Sequence, residues 1–184
     1  MAFTEQNQQG TVDNANSYAS VVVMKAFHAD RGTVLTPYSD ERLSQALVRA
    51  TDFLDSRYSF IGEPLRSEQG TQCPRILNGP GASYPYETAH RLTGLQWVRL
   101  IQACCMLAYR DLTLPAGLMP DPTFDATGQK VSKKTVKAGP IEKTVEYAPS
   151  TAPDANVPSY PAIDLLLKTA GLLNSRSGGT LTRA

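Results

Sequence analysis

The chain has 184 residues, of which 41% are hydrophobic and 19% are charged, a composition that suits one domain with a hydrophobic core and excludes a disordered chain. Its 18 lysines and arginines are balanced by 17 aspartates and glutamates, so the net charge is +1. This balance excludes a protein that attracts nucleic acid through its overall field, and any such contact must come from a local basic patch.

Residues 1–16 are polar and lack the apolar run of a secretory signal, so they predict a flexible N-terminal arm. No apolar stretch approaches the roughly 20 residues that cross a bilayer. We therefore expect no membrane segment, and either a cytoplasmic product or one that is exported only as part of a larger particle.

A first helix follows the arm. Ser17 or Ser20 can cap it, and it is expected to run to about Asp30 and to stop at Gly32.

The second helix is the clearest element of the sequence. Ser39 can cap its start, and its apolar residues recur at helical spacing on one side: Leu43, Ala46, Leu47, Ala50, Phe53, Leu54 and Tyr58. Asp52 and Asp55 are expected on its solvent-facing side.

Residues 59–86 are rich in glycine and proline, and a loop of this length is often functional or held by a partner. Basic residues near aromatic ones are common where single strands are bound. The candidate contact residues of this loop are Arg66, Arg75, Tyr84 and Tyr86.

A third helix is predicted from about Glu87 to Asp111, and its broad apolar surface indicates a central position. The predicted stripe consists of Ala89, Leu92, Leu95, Val98, Ile101, Cys105, Ala108 and Leu112, widened by Trp97, Leu100, Cys104 and Leu107. The adjacent cysteines are interpreted as small buried hydrophobic residues.

Between residues 131 and 147 the pattern changes to a period of two, which predicts a β-hairpin. Two strands alone are marginal in water, so the hairpin should pack on the helices or on another subunit. Its lysines could bind DNA or keep the strand edges from pairing wrongly, and an interface role is favoured. The candidate interface residues here are Lys133, Lys134, Lys137, Glu142, Lys143 and Glu146.

The last predicted helix runs from Tyr160 to Leu173, with Ser159 as its cap and Pro161 in its first turn. Residues 174–184 form a second predicted flexible tail, in which Arg176 and Arg183 are further candidate interface residues. The expected fold is therefore mainly α: a small bundle of about four helices with an inserted β-hairpin and flexible terminal arms, in one domain spanning residues 17–173.

No pattern in the chain predicts catalysis. His28 and His90, the two histidines, lack metal-ligand spacing, and His28 is interpreted as a surface cation near a helix end. No serine lies in a nucleophile elbow, and no glycine-rich loop matches a phosphate site. We expect no enzyme, no metal and no cofactor.

Several segments carry a resemblance to a family found in the genomes of tailed phages. The most specific is the string RATDFLDSRY at residues 49–58, and the others are residues 17–20, 27–32, 133–141, 145–147 and 160–167. The chain resembles the family labelled DnaT-like single-stranded DNA-binding protein, and it also resembles the head–tail connectors, or adaptors, of long-tailed phages.

The connector resemblance implies a ring of identical subunits, a dodecamer, in the neck of the virion. The ring would lie under the portal protein, extend the channel for passing double-stranded DNA, and dock a tail-side neck, stopper or tail protein. The alternative, implied by the family label, is a replication accessory protein that binds single-stranded DNA.

Overall fold

The computed structural model describes residues 2–76, 94–115, 117–118, 131–137, 142–147 and 160–173. The elements in chain order are α1 (Val21–Ala29), α2 (Asp40–Arg57), β1 (Glu63–Pro64), β2 (Arg75–Ile76), α3 (Gly94–Thr113), β3 (Val131–Lys137), β4 (Glu142–Tyr147) and α4 (Pro161–Thr169). The prediction of a mainly helical fold with an inserted hairpin is confirmed. The chain divides into two compact units, residues 1–118 with 160–184 and residues 119–159.

Serine hydroxyls cap the N-termini of the first two helices, as the sequence predicts. The Ser20 side chain accepts a hydrogen bond from the Val23 amide at 3.4 Å, and the Ser39 side chain accepts one from the Arg42 amide at 3.3 Å. Each bond satisfies an amide that has no partner within its helix. After α1 the chain turns at Gly32, whose φ of 71° is a conformation that glycine adopts without strain.

The core is centred on the contact between α2 and α3. On α2 the predicted apolar side is buried throughout. On α3 the prediction that the apolar stripe is buried is wrong at two residues, because Leu95 is 65% exposed and Val98 is 46% exposed. The buried residues of α3 are Trp97, Leu100, Ala103, Cys104, Cys105, Leu107, Ala108 and Leu112. When apolar residues surround most of a helix, spacing alone does not identify the side on which its neighbour packs.

α4 packs on α3 through Ile163 and Leu167, both fully buried. The predicted cap at Ser159 is wrong, since the helix begins at Pro161 and its N-cap is Tyr160, which makes no side-chain capping bond. Proline supplies a helical φ, and the amide that it lacks at the first helical position would have had no partner within the helix, so it is well suited to begin one.

The end of α4 is tied to the start of the loop that follows α2. Ile61 donates its amide proton to the Leu172 carbonyl oxygen at 2.9 Å, and Phe60 pairs with Leu173 in an isolated antiparallel bridge. The Tyr58 hydroxyl donates to the Asp164 carboxylate at 2.6 Å. These bonds hold the first residues of the loop against the helical body.

Residues 2–17 also contact the body. Gln6 is buried, and its side-chain amide donates to the Val12 carbonyl oxygen at 3.1 Å and to the Thr71 hydroxyl at 3.4 Å. A Cβ atom on Gly70 would lie 2.4 Å from the Ala15 carbonyl oxygen, so the two backbones are in close contact there. The sequence predicts a flexible arm for residues 1–16, and it does not predict these contacts.

The second unit contains the hairpin, whose prediction is confirmed by an antiparallel pair of β3 and β4. The register pairs Lys133 with Glu146 and Lys137 with Glu142, and it shifts once near Val131. Among the described residues no helix is long and apolar enough to span a membrane.

Candidate interaction surfaces

The two arginines predicted as loop contacts have partners within the chain. The Arg75 guanidinium donates to the carbonyl oxygens of Ile61 and Gly62, at 3.0 and 2.5 Å, and to the Gln72 side chain at 2.9 Å. Arg66 forms an ion pair with Asp13 at 3.6 Å. Arg75 therefore shapes the loop around it, and Arg66 links the loop to the N-terminal segment. The aromatic partners proposed for them, Tyr84 and Tyr86, lie outside the described residues.

Asp55 joins three parts of the chain, although the sequence placed it on the solvent side of α2. Its carboxylate accepts hydrogen bonds from the Tyr18 hydroxyl and, at 2.9 Å, from the Gln72 amide. The Tyr18 hydroxyl in turn accepts a bond from the Cys73 amide at 3.0 Å. The expectation of a solvated Asp55 side chain is wrong because Tyr18, before α1, and Gln72, in the loop, both bond to its carboxylate.

Burial of the Asp55 carboxyl raises its pKa from 3.8 to about 6, opposed by the hydrogen bonds from Tyr18 and Gln72. Burial also raises the pKa of the Tyr18 hydroxyl. A polar groove of about 500 Å³ lies between α2 and the loop, and its lining includes Asp52, Asp55 and Arg66. Both hydrogen bonds to the Asp55 carboxylate come from within the fold, from Tyr18 and Gln72.

His28 is buried, so its interpretation as a surface cation is wrong. Its Nε2 lies 3.1 Å from the Cys105 carbonyl oxygen, which can only accept, and therefore Nε2 carries the proton. The ring packs between Phe27 and Tyr109. Burial lowers the pKa of His28, which favours the neutral imidazole. The burial of His28 could not be predicted from the sequence because its hydrogen-bond partner is a backbone oxygen on α3, far along the chain.

The three cysteines are free and buried, as predicted for the helical pair. Burial raises the pKa of the Cys104 thiol to about 12, and it raises the pKa values of Cys73 and Cys105 as well. Such thiols are poor nucleophiles at neutral pH. Within the part of the chain that the structure describes, no group of three or more His, Cys, Asp or Glu side chains could hold a metal ion.

Most aromatic side chains of the described residues are in the core. Those with 9% exposure or less are Tyr18, Phe27, Phe53, Tyr58, Phe60, Trp97 and Tyr160. Several arginines also have aromatic or acidic partners: Arg31 stacks on Phe27, Arg42 on Tyr38 and Arg110 on Tyr160, and Arg49 pairs with Asp111 at 2.6 Å. Few of the arginine–aromatic combinations in this body are therefore available to stack on nucleic-acid bases.

The large exposed hydrophobic residues of the described chain are all aliphatic. They are Val22, Val23, Val34, Leu95, Val98, Leu114 and Leu165. Val34 borders a second groove, of about 490 Å³, between α1 and the segment that leads to α2. Lys25 and Asp40 form an ion pair at its rim. Aliphatic side chains, unlike aromatic ones, have no π face on which a nucleic-acid base could stack.

The six candidate interface residues of the hairpin are described by their backbone only. Lys133 and Lys137 occupy register positions opposite glutamates, while Lys134 is opposite Val145 and Lys143 is opposite Val136. The two candidates of the tail, Arg176 and Arg183, lie outside the described residues, as does His90.

A family model described as "Putative DnaT-like ssDNA binding protein" matches residues 1–184. Comparison with curated proteins and with solved structures finds no match.

Proposed function

The chain belongs to the family described as "Putative DnaT-like ssDNA binding protein", and we propose, from its resemblance to the head–tail connectors of long-tailed phages and from the exposed surface of the described residues, that it is a structural subunit of such a connector. It would form a ring, a dodecamer by resemblance, in the neck of the virion after assembly in the host cytoplasm. The ring would contact the portal protein on one side and a neck, stopper or tail protein on the other, with double-stranded DNA passing through its channel. In this role it needs no cofactor and catalyses no reaction.

The observation that carries the proposal is the composition of the exposed surface. Among the described residues, the large exposed hydrophobic side chains are aliphatic and lie on α1, α3 and α4 or beside them, whereas most aromatic side chains are buried in the core. Aliphatic side chains can be buried against a protein partner. Stacking on single-stranded bases instead requires accessible aromatic faces combined with basic residues that face the strand.

A reversal of charge in the hairpin tests the proposal. Replacing Lys133 and Lys134 with glutamate should reduce the yield of completed particles, because these residues would contact protein, and should leave affinity for DNA unchanged. The measurement is a count of filled, tailed particles by electron microscopy after complementation. Lys168→Glu, at an exposed position on α4, is a single-reversal control that should complement normally.

Binding of single-stranded DNA is the second candidate, and the description of the family favours it. It predicts a complex with a labelled oligonucleotide whose affinity falls steeply as salt is raised, since each neutralised phosphate releases counterions. Loss of this affinity in the Lys133 and Lys134 variant, with normal particle assembly, would replace the connector proposal by this one. Absence of binding at low salt would remove the second candidate.

A further inference from the structure

The sheet formed by β3 and β4 has two strands, of seven and six residues. Within the described residues each strand is therefore hydrogen-bonded along one edge only, and its other edge has backbone amides and carbonyls available for a further strand. A two-stranded sheet is marginal in water, and an open edge is a template for another chain.

The two strands differ in charge. β3 contains three lysines and no acidic residue, whereas β4 contains two glutamates and one lysine. In the observed register, lysine and glutamate positions face each other twice, at Lys133 with Glu146 and at Lys137 with Glu142. Opposite charges on facing positions stabilise an antiparallel pair, and like charges destabilise it.

This difference in charge selects among the ways in which two copies could pair. Two β3 strands would bring six lysines together, and two β4 strands would bring four glutamates together with two lysines. A β4 strand against a β3 strand of another copy places acidic residues against basic ones. The favoured contact therefore joins different strands, which is a head-to-tail contact that closes into a ring when the rotation between copies allows it.

We propose that the free edge of β4 in one copy pairs with the free edge of β3 in the next, so that the hairpins of a ring form one continuous sheet. The inference rests on the proposed function, in which copies of this chain form a ring. Within each hairpin β3 and β4 are antiparallel. A rotation about an axis along the strands keeps all β3 strands in one direction, and each junction between copies is then antiparallel as well.

Closure of the sheet removes its free edges. With about 12 copies it would contain about 24 strands, and a strand spacing of about 4.8 Å gives a barrel roughly 40 Å across. Barrels of about 16 strands already enclose an open, water-filled channel. The hairpins would then line part of the passage through the ring.

A swap of charges between the strands tests this pairing in the full-length chain. The variant K133E/K137E/E142K/E146K keeps opposite charges at both facing positions of its own hairpin. It also keeps opposite charges between its own copies, so it should assemble with itself. Against the wild type, however, every junction would place like charges on facing positions.

The two chains are co-expressed with different tags, and the composition of the assembled rings is measured by native mass spectrometry. We expect separate rings, with mixed rings at least about tenfold below their statistical share. The matched control E68K/K168E exchanges one acidic and one basic residue at exposed positions outside the hairpin and should mix freely with the wild type.

Mixed rings in the proportion expected from random mixing would overturn the pairing of β4 with β3, but they would not contradict the proposal that the chain forms a ring. Failure of the swapped variant to assemble, while the wild type forms rings, would likewise overturn it, because both sets of facing charges are preserved. A wild type that forms no ring at any concentration would instead remove the proposed function.

Discussion

Replacing Asp55 with asparagine tests how the loop and the residues before α1 are held on α2. Burial raises the pKa of this carboxyl from 3.8 to about 6. At about 1.4 kcal/mol per pH unit, that change corresponds to about 3 kcal/mol. Because Asp55 is only half-buried, solvent screens part of this energy, and we expect about 2 kcal/mol.

The stability that Asp55 contributes changes with pH in the opposite direction to that of a carboxylate in an ion pair. Between pH 3.8 and about 6 the folded chain binds more protons at Asp55 than the unfolded chain, so this residue makes the fold less stable as the pH rises. The loss of folding stability caused by ionised Asp55 is absent well below pH 3.8 and complete well above about pH 6. Asparagine has the same shape and does not titrate, so Asp55→Asn should lose this dependence.

The assay is urea unfolding of both proteins between pH 4 and pH 7.5, followed by circular dichroism of the helices. The free energy of unfolding of the wild type, minus that of Asp55→Asn, should fall by about 2 kcal/mol across this range. A difference that stays constant with pH, or that rises, would refute the assignment of a raised pKa to a carboxyl held by Tyr18 and Gln72.

Three further substitutions have expected outcomes that the same unfolding assay or proteolysis can measure. Gly70→Ala should destabilise the fold by more than about 1 kcal/mol, because its Cβ would meet backbone at 2.4 Å, whereas Gly94→Ala, with open space around it, should not. His28→Phe should remove a loss of stability that the wild type shows as the pH falls below 6.5, since the buried neutral ring has a lowered pKa; an unchanged dependence would contradict this assignment. Arg75→Gln should speed cleavage of the loop by thermolysin, a protease that does not require arginine at its cleavage site, because the loop loses bonds to its own backbone. Arg99→Gln, which loses only a bond to a nearby side chain on its own helix, should not change the rate of cleavage.

The helical frame could be predicted from the sequence because its signals are local. Ser20 and Ser39 are polar residues directly before amphipathic runs, and both cap helices in the structure. The hairpin was predictable for the same reason, since residue types alternate over residues 141–147 and a Gly-Pro turn precedes them. The cap of α4 was predicted one residue early, because Ser159 is a good capping residue but Pro161 sets the start.

Contacts between distant segments could not be predicted from local patterns. Asp55 has the sequence position of an exposed residue, and only the fold brings Tyr18 and Gln72 to it. His28 similarly has its partner on α3, 77 residues along the chain. The candidate residues of the loop were chosen for their type, and the structure adds that the Arg75 side chain bonds to the loop's own backbone.

The charged hairpin residues stay a prediction as an interface, and the sequence could not give their register. The sequence identified Lys133 and Glu146 separately, and the register now places them opposite each other. That pairing is what turns a group of charges into a specific proposal for contact between copies.

The mass and shape of the purified full-length chain test the central claim most directly. Native mass spectrometry together with negative-stain electron microscopy should show closed rings of identical subunits, about a dozen by resemblance, over a range of concentrations. A monodisperse monomer at every concentration, without rings in any image and without the protein in purified virions, would contradict the account.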